Sequence, residues 1–373
     1  MIYFDHAAAS TVLPEIRQNY PLWLEQFSGN SEAAHAHGHR LRTQLAEFAR
    51  QLQSVILPHS REAVTVFWDQ DATGLINALG MALADKHLPV WGSDLDHPAV
   101  WRMLQRNFLT VKKFPLSSCG EVVLSADAGS ARLIVLTAVQ SEIGVQQDLA
   151  GLIPQLRRQY PEALIMVDAV QLAAWQKYPP EAPLPDLLLI SGAKLGSGRG
   201  AALLAIGGRA KFLQEKFQYL RHSEHLLGKV DIVQAAALTE AARIRSAAMQ
   251  TTSAEISSIN TFLRGQLTDM RLPNRQKLIL TVPSEAAADN ILHMILPGYQ
   301  SGVLVRMFSC QNIMLSAGSA CAAESPEPSR VLQALGYSKN DSYSGLRLSF
   351  GAGNTLEEAE IFLRQLDFLL KNY

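Results

Sequence analysis

The stretch that most constrains this chain is residues 186–200, DLLLISGAKLGSGRG. Leu187, Leu188, Leu189, Ile190 and Ser191 form an almost wholly apolar run, which suits a strand buried on both faces of a parallel sheet. The run opens into Gly192, Ala193 and Lys194, then into a loop carrying Gly196, Gly198 and Gly200. A lysine at such a junction is placed to form a Schiff base with a carbonyl compound, because partial desolvation exposes the neutral amine. On this stretch alone, a solvated lysine at a strand end is the competing reading.

Residues 163–171, ALIMVDAVQ, repeat the pattern. An apolar run ends in Asp168, and a carboxylate there is costly unless a cation meets it. A pyridinium nitrogen is such a partner. Helix N-capping is the alternative, since residues 170–174 could begin a helix. Asp168 and Lys194 on neighbouring strand ends favour the cofactor.

These two stretches belong to a wider match. The chain resembles the cysteine desulfurases, within the class V aminotransferase-like family of pyridoxal phosphate enzymes. Matching segments run from YFDHAAAS at residues 3–10 to RLSFGAGNTLEEAE at residues 347–360, so almost the whole chain is covered. The resemblance implies an α/β fold of fold-type I, with a large domain at residues 15–250 built on a mostly parallel, seven-stranded-type sheet. Residues 1–14 and 251–373 would form the small α/β domain. It also implies bound pyridoxal 5'-phosphate and a homodimer with active sites at the interface. Independently, strand and helix patterns alternate from Ala63 to Leu204, as a parallel sheet with crossover helices requires.

Composition agrees with two domains and narrows the partners. A chain of 373 residues exceeds the usual ceiling for one hydrophobic core. A net charge of −1 gives no reason to expect nucleic acid or an anionic membrane. No apolar run reaches the ~18 residues of a membrane span, and the N-terminus MIYFDHAAAS lacks a secretory pattern. Cys119, Cys310 and Cys321 are too scattered for a disulfide framework, so a cytoplasmic location is the default. His35 and His37 lack a further ligand at metal-site spacing and read as a solvated loop.

The resemblance assigns roles residue by residue. DHPAV at residues 96–100 resembles the family's EHPAV and implies that His97 stacks on the pyridine ring. AVQSEIGVQQDL at residues 138–149 resembles NNEIGVxQDI, with Ser141 where an asparagine bonds the cofactor hydroxyl; a hydroxyl still donates, with shorter reach. Gln171 and Ser191 join the cofactor contacts. The phosphate end departs from the pattern. WDQDATG at residues 68–74 stands where the family reads roughly SGGTE, whose amides and threonine hold phosphate at a helix N-terminus. Gln70, Asp71 and Ala72 occupy that turn, Thr73 is displaced by one, and Asp71 would repel phosphate. Ala193 replaces a histidine, Leu226 an arginine, and Lys229 the threonine that reaches the partner subunit's phosphate. The cation of Lys229 would offset part of that loss.

Residues 313–327, IMLSAGSACAAESPE, are dominated by small residues and read as a loop carrying one thiol. They match the family's SSGSAC segment, including the later Pro-Ser and Val-Leu, which makes Cys321 the implied nucleophile; Cys119 and Cys310 are incidental. Arg347, on an expected strand at residues 346–350, matches the arginine that grips the substrate carboxylate, a task suited to its planar fork. A surface arginine on a half-exposed strand is the alternative. The implied reaction converts L-cysteine to L-alanine. Lys194 takes the Cα proton, Asp168 keeps the ring protonated, and Cys321 attacks the sulfur to become a persulfide. A sulfur-acceptor protein, a scaffold or sulfurtransferase as in iron–sulfur cluster assembly, would follow. Two other classes remain. One is a different class V enzyme, a selenocysteine lyase or an aminotransferase, the retained thiol arguing against the latter. The other is a catalytically impaired partner protein on the same scaffold. Helices are further expected at residues 14–26, 39–57, 230–248 and 286–296, with a strand at 278–282.

Overall fold

Three short apolar runs build the centre of the molecule. In the computed structural model, which describes residues 1–84, 87–124, 129–318 and 327–373, the strands Leu133–Thr137, Leu164–Asp168 and Leu187–Ser191 are buried at every position. They are the middle of a seven-stranded sheet. Its order is Val64–Asp69, Ala201–Ile206, Leu187–Ser191, Leu164–Asp168, Leu133–Thr137, Val90–Gly92 and Val111–Lys113. All neighbours pair in parallel except those of Ala201–Ile206, which runs antiparallel to the strand on each side.

Side chains of a strand alternate between faces, and the two faces here have separate cores. Ile134, Leu136, Ile165, Val167, Leu188 and Ile190 pack under the helices Ala36–Ile56, Leu149–Gln159 and the first half of Ile232–Leu267. Leu133, Val135, Leu164, Met166, Leu187 and Leu189 face Ala72–Leu83, Pro98–Asn107 and Leu213–His222. A sheet covered on both faces explains why its strands are continuous apolar runs. This is the expected α/β, fold-type I architecture.

A third core joins the two ends of the chain. Phe4 packs with Ile259, Leu263, Leu292, Phe308, Leu348, Phe350 and Phe362. Around it lie the antiparallel strands Ile279–Leu280, Ile291–Ile295 and Gly345–Ser349, and the helices Ser301–Cys310 and Leu356–Lys371. Ile2–Tyr3 pairs in parallel with Ile313–Met314. No helix among the described residues is long and apolar enough to cross a membrane.

Two elements differ from the sequence expectation. The helix expected at 230–248 runs on as Ile232–Leu267, because nothing in MQTTSAEISS breaks it; position 250, the expected domain boundary, lies inside this helix. Residues 286–296 are not helical. Their alanines invite a helix, yet Ile291–Ile295 is a fully buried strand between Gly345–Ser349 and Ile279–Leu280. Cross-strand packing overrides propensity there.

The turn that carries Lys194 is built by close approach. Gly192 donates to the Gly200 carbonyl at 2.7 Å, and a Cβ on Gly192 would lie 2.0 Å from Ser197 Oγ and 2.3 Å from the Arg199 carbonyl. Gly196, at φ 89°, ends the single helical turn Gly192–Leu195 in the left-handed region. Gly192→Ala is therefore expected to destabilise the protein by about 2 kcal/mol or more. Thermal unfolding against wild type measures it, and an unchanged Tm would contradict the packing described.

Candidate active site

Parallel strands bring their carboxyl ends to one edge of a sheet, where α/β folds hold their ligands. In register, Thr137 pairs with Asp168, Asp168 with Leu189, and Ser191 with Ala201, which also pairs with Asp69. Lys194 follows Ser191 by one helical turn, and His97 follows the strand Val90–Gly92 at the start of the next helix.

The lysine is held by the chain's first residues. Its Nζ donates to the Ala8 carbonyl, while its own carbonyl accepts from Ser10 Oγ at 2.7 Å. Asp168 is buried and accepts from the Val170 amide at 3.1 Å. Burial raises its pKa to about 6, against the opposing pull of the Val170 bond and the Lys194 charge. The helix Leu172–Trp175 starts after Gln171, so Asp168 is not its cap. His97 Nδ1 accepts from the Ala99 amide at 3.2 Å, and burial, then the charges of Lys194 and Arg330, push its pKa down. Gln171 donates to the Ala7 carbonyl at 2.8 Å, and its Oε1 is buried without a partner among the described residues.

Arg347 is 1% exposed, which removes the surface alternative. Its Nη2 pairs with Asp5 Oδ1 at 2.6 Å and its Nη1 donates to the Ser141 carbonyl at 2.9 Å. Asp5 also accepts from Ser316 Oγ at 2.8 Å. Across the strand pair from Arg347 stands His293, whose pKa burial and the arginine charge depress to about 3.

At the other end of the edge, Asp71 caps the helix Ala72–Leu83, accepting from the Gly74 amide at 2.8 Å. Asp69 accepts from the Gln70 amide at 2.5 Å; burial, with the Asp71 charge adding, raises its pKa, while Arg221 lowers it. Ala72 and Thr73 both lie in the first turn after the cap, and Thr73 is exposed. Ser191 is 7% exposed at its strand's end. Lys229 is exposed in the loop between Leu213–His222 and Ile232–Leu267, a loop held where Arg221 Nε donates to the Gly228 carbonyl at 3.0 Å. Cys321 lies outside the described residues. Both flanks reach this edge: Ser316 bonds Asp5, and Arg330 donates to the Asp96 carbonyl at 2.6 Å.

The family model described as Aminotransferase class-V matches residues 2–362. The chain belongs to the class V aminotransferase family. It is 24% identical to the putative cysteine desulfurase IscS 1 of Bacillus subtilis, over 99% of this chain and 98% of that one. It is 25% identical to the cysteine desulfurase IscS of Salmonella arizonae, over 96% of this chain and 90% of that one. In fold it is similar to a NifS-like protein from Rickettsia africae, with TM-score 0.80 at 20% identity and full coverage of both chains. A structure titled SspA in complex with cysteine aligns with TM-score 0.68 at 17% identity, over 94% of this chain and 99% of that one.

Class V enzymes take pyridoxal phosphate, and the two ends of this site answer differently to it. The ring end fits: a buried carboxylate for the pyridinium, a lysine for the aldehyde, a half-buried imidazole, and the unmet acceptor of Gln171. The phosphate end does not. Its helix terminus is already capped by a carboxylate, with a second one alongside; Ala72 and Ala193 offer no side-chain donor, which leaves the uncharged hydroxyls of Thr73 and Ser191 to set against two acids. Pyridoxal phosphate as a whole does not fit the described residues.

Four polar groups carry no assigned role in the sequence pattern. Asp5 reaches Arg347 from 342 positions away, a distance no local pattern encodes. Asp96 accepts from the Ser93 amide at 2.6 Å and Thr137 Oγ1 at 2.8 Å. Glu142 is buried, its pKa raised by desolvation, and Arg330 borders both His97 and Glu142. The signal available for Asp96 was its place after a buried strand, the same signal that marked Asp168.

Burial pushes Asp96 up to about 7. A folded-state pKa above the unfolded value means that the native state holds the proton more tightly. Its stabilising contribution is present at low pH and is lost as pH rises through about 7. Asp96→Asn removes that dependence, so its Tm should change less between pH 5 and pH 8 than wild type's, in the direction of a gain at pH 8. Parallel pH profiles of Tm for the two proteins would contradict the assignment.

Proposed function

We propose that this chain is a cysteine desulfurase-type enzyme that works with a carbonyl ligand on Lys194, takes L-cysteine, and passes its sulfur to Cys321. One observation carries the reading: Lys194, Asp168 and His97 stand at one sheet edge, and the lysine's charge is felt by both of the others. A carbonyl-bearing pyridine ring, once joined to an amino acid, makes its Cα proton acidic. The chain's own residues do the rest. Lys194 would hold the carbonyl group through its amine and would serve as the base at this edge for the Cα proton. Asp168, whose pKa burial raises to about 6, would face the ring nitrogen and hold a proton on it. His97, whose pKa burial depresses, would cover the ring.

Arg347 is the group for the substrate's α-carboxylate, and Asp5 yields it when substrate enters. The thiolate of Cys321 would attack the substrate sulfur: the sulfur–sulfur bond forms as the carbon–sulfur bond breaks, and Cβ takes that bond's electron pair and a proton, so that alanine leaves and a persulfide stays on Cys321. Relatives named cysteine desulfurase and a structural neighbour titled in complex with cysteine support this substrate. A cytoplasmic homodimer handing sulfur to an acceptor protein belongs to the same reading, as does a domain division near residue 250. A second reading is favoured by specific contacts. Asp5 on Arg347 and Asp71 on its helix fill two anion sites with the chain's own carboxylates, as an impaired member acting as a partner protein would.

Alanine release from L-cysteine separates the readings. Turnover is expected in wild type and a loss of about 1000-fold or more in Lys194→Ala. Cys321→Ser should keep ligand-dependent absorbance yet form no persulfide by intact mass. Absence of alanine from wild type would sink the enzyme reading in favour of the partner protein.

A further inference from the structure

We infer that the ligand on Lys194 carries no phosphate: the pocket is built for an unphosphorylated, hydroxyl-bearing pyridine aldehyde of the pyridoxal type. The inference rests on Lys194 being the imine-forming residue. Along the sheet edge Asp69, Ala201 and Ser191 share one register line. At roughly 4.8 Å per strand, the Asp69 end lies about 10 Å from the Ser191 end and about 14 Å from the Asp168 strand. A ring held at Asp168 and Lys194 would share this edge with the start of the helix Ala72–Leu83, which follows Asp69 by three residues.

What waits there is negative and built in. Asp71 satisfies the Gly74 amide, one of the first-turn donors that an incoming anion would use. Asp69 Oδ2 lies 2.6 Å from where a Cβ on residue 74 would stand, so the glycine makes room for the carboxylate. Among the described residues, Arg221 is the cation whose charge acts on Asp69, which leaves the pair of carboxylates in excess. A phosphate dianion would be repelled, whereas a hydroxymethyl group would donate a hydrogen bond to either carboxylate. The buried Gln171 Oε1, unpartnered among the described residues, independently marks the ring end as a place for a ligand donor. Capture balances simply. The lysine nitrogen attacks the aldehyde carbon, the carbon–nitrogen double bond forms, and the carbonyl oxygen leaves as water with two hydrogens from the amine.

The test is titration of the full-length protein with pyridoxal and with pyridoxal phosphate, read by absorbance and by borohydride trapping on Lys194. Pyridoxal is expected to half-saturate at a concentration at least about tenfold below that of pyridoxal phosphate. Asp69→Asn combined with Asp71→Asn removes both charges while the side-chain amide at position 71 still caps the helix. Pyridoxal phosphate should then tighten by about tenfold or more and pyridoxal should not. Tighter binding of pyridoxal phosphate by wild type overturns the inference and leaves the lysine reading standing; a second copy supplying Lys229 would then be the source of charge. An unchanged preference in the double variant overturns it as well. If neither aldehyde is trapped on Lys194, both the inference and the lysine reading fall.

Discussion

The carboxylate of Asp168 closes a strand that is buried at every residue, and the site is arranged around that charge. Ionisation there opposes desolvation, which is why its pKa stands near 6 and why the Lys194 charge matters to it. A lysine alone on the next strand end would be an ordinary surface group. Beside a desolvated carboxylate, with an imidazole under the same field, it becomes one member of a set of charges that a cationic ring and a carbonyl would complete.

The N-terminal residues hold this set in place. Ala8 takes the lysine, Ala7 takes Gln171, Asp5 takes Arg347, and Ser10 bonds the backbone of the lysine turn. Phe4, one residue earlier, is buried in the core built mainly from the last third of the chain, with Ala174 and Trp175. The same segment thus ties the sheet edge to the second core. It also occupies the polar groups that a ligand would use, so binding and displacement of these contacts are coupled.

Much of the architecture was legible because burial on both faces forces a simple pattern. Apolar runs such as 187–190 and 164–167 announced buried strands, and the polar residue ending each announced the edge that matters. Residues 286–296 were misread because alanine propensity is local, whereas the pairing of Ile291 with Ser349 and His293 with Arg347 is not. The burial of Arg347 and its union with Asp5 were invisible for the same reason. At the helix start, DQDATG did show an acid where an anion was expected, but only the cap geometry reveals that Asp71 fills the site itself.

Which lysine receives a carbonyl decides whether the edge around Asp168 is an active site. Incubation of the native protein with an aldehyde, reduction with borohydride and peptide mapping by mass spectrometry reads this directly. The label is expected on Lys194, with its loss in Asp168→Asn, which keeps the shape but not the charge. A label spread over exposed lysines such as Lys112, Lys211 or Lys229, and unaffected by Asp168→Asn, would contradict it.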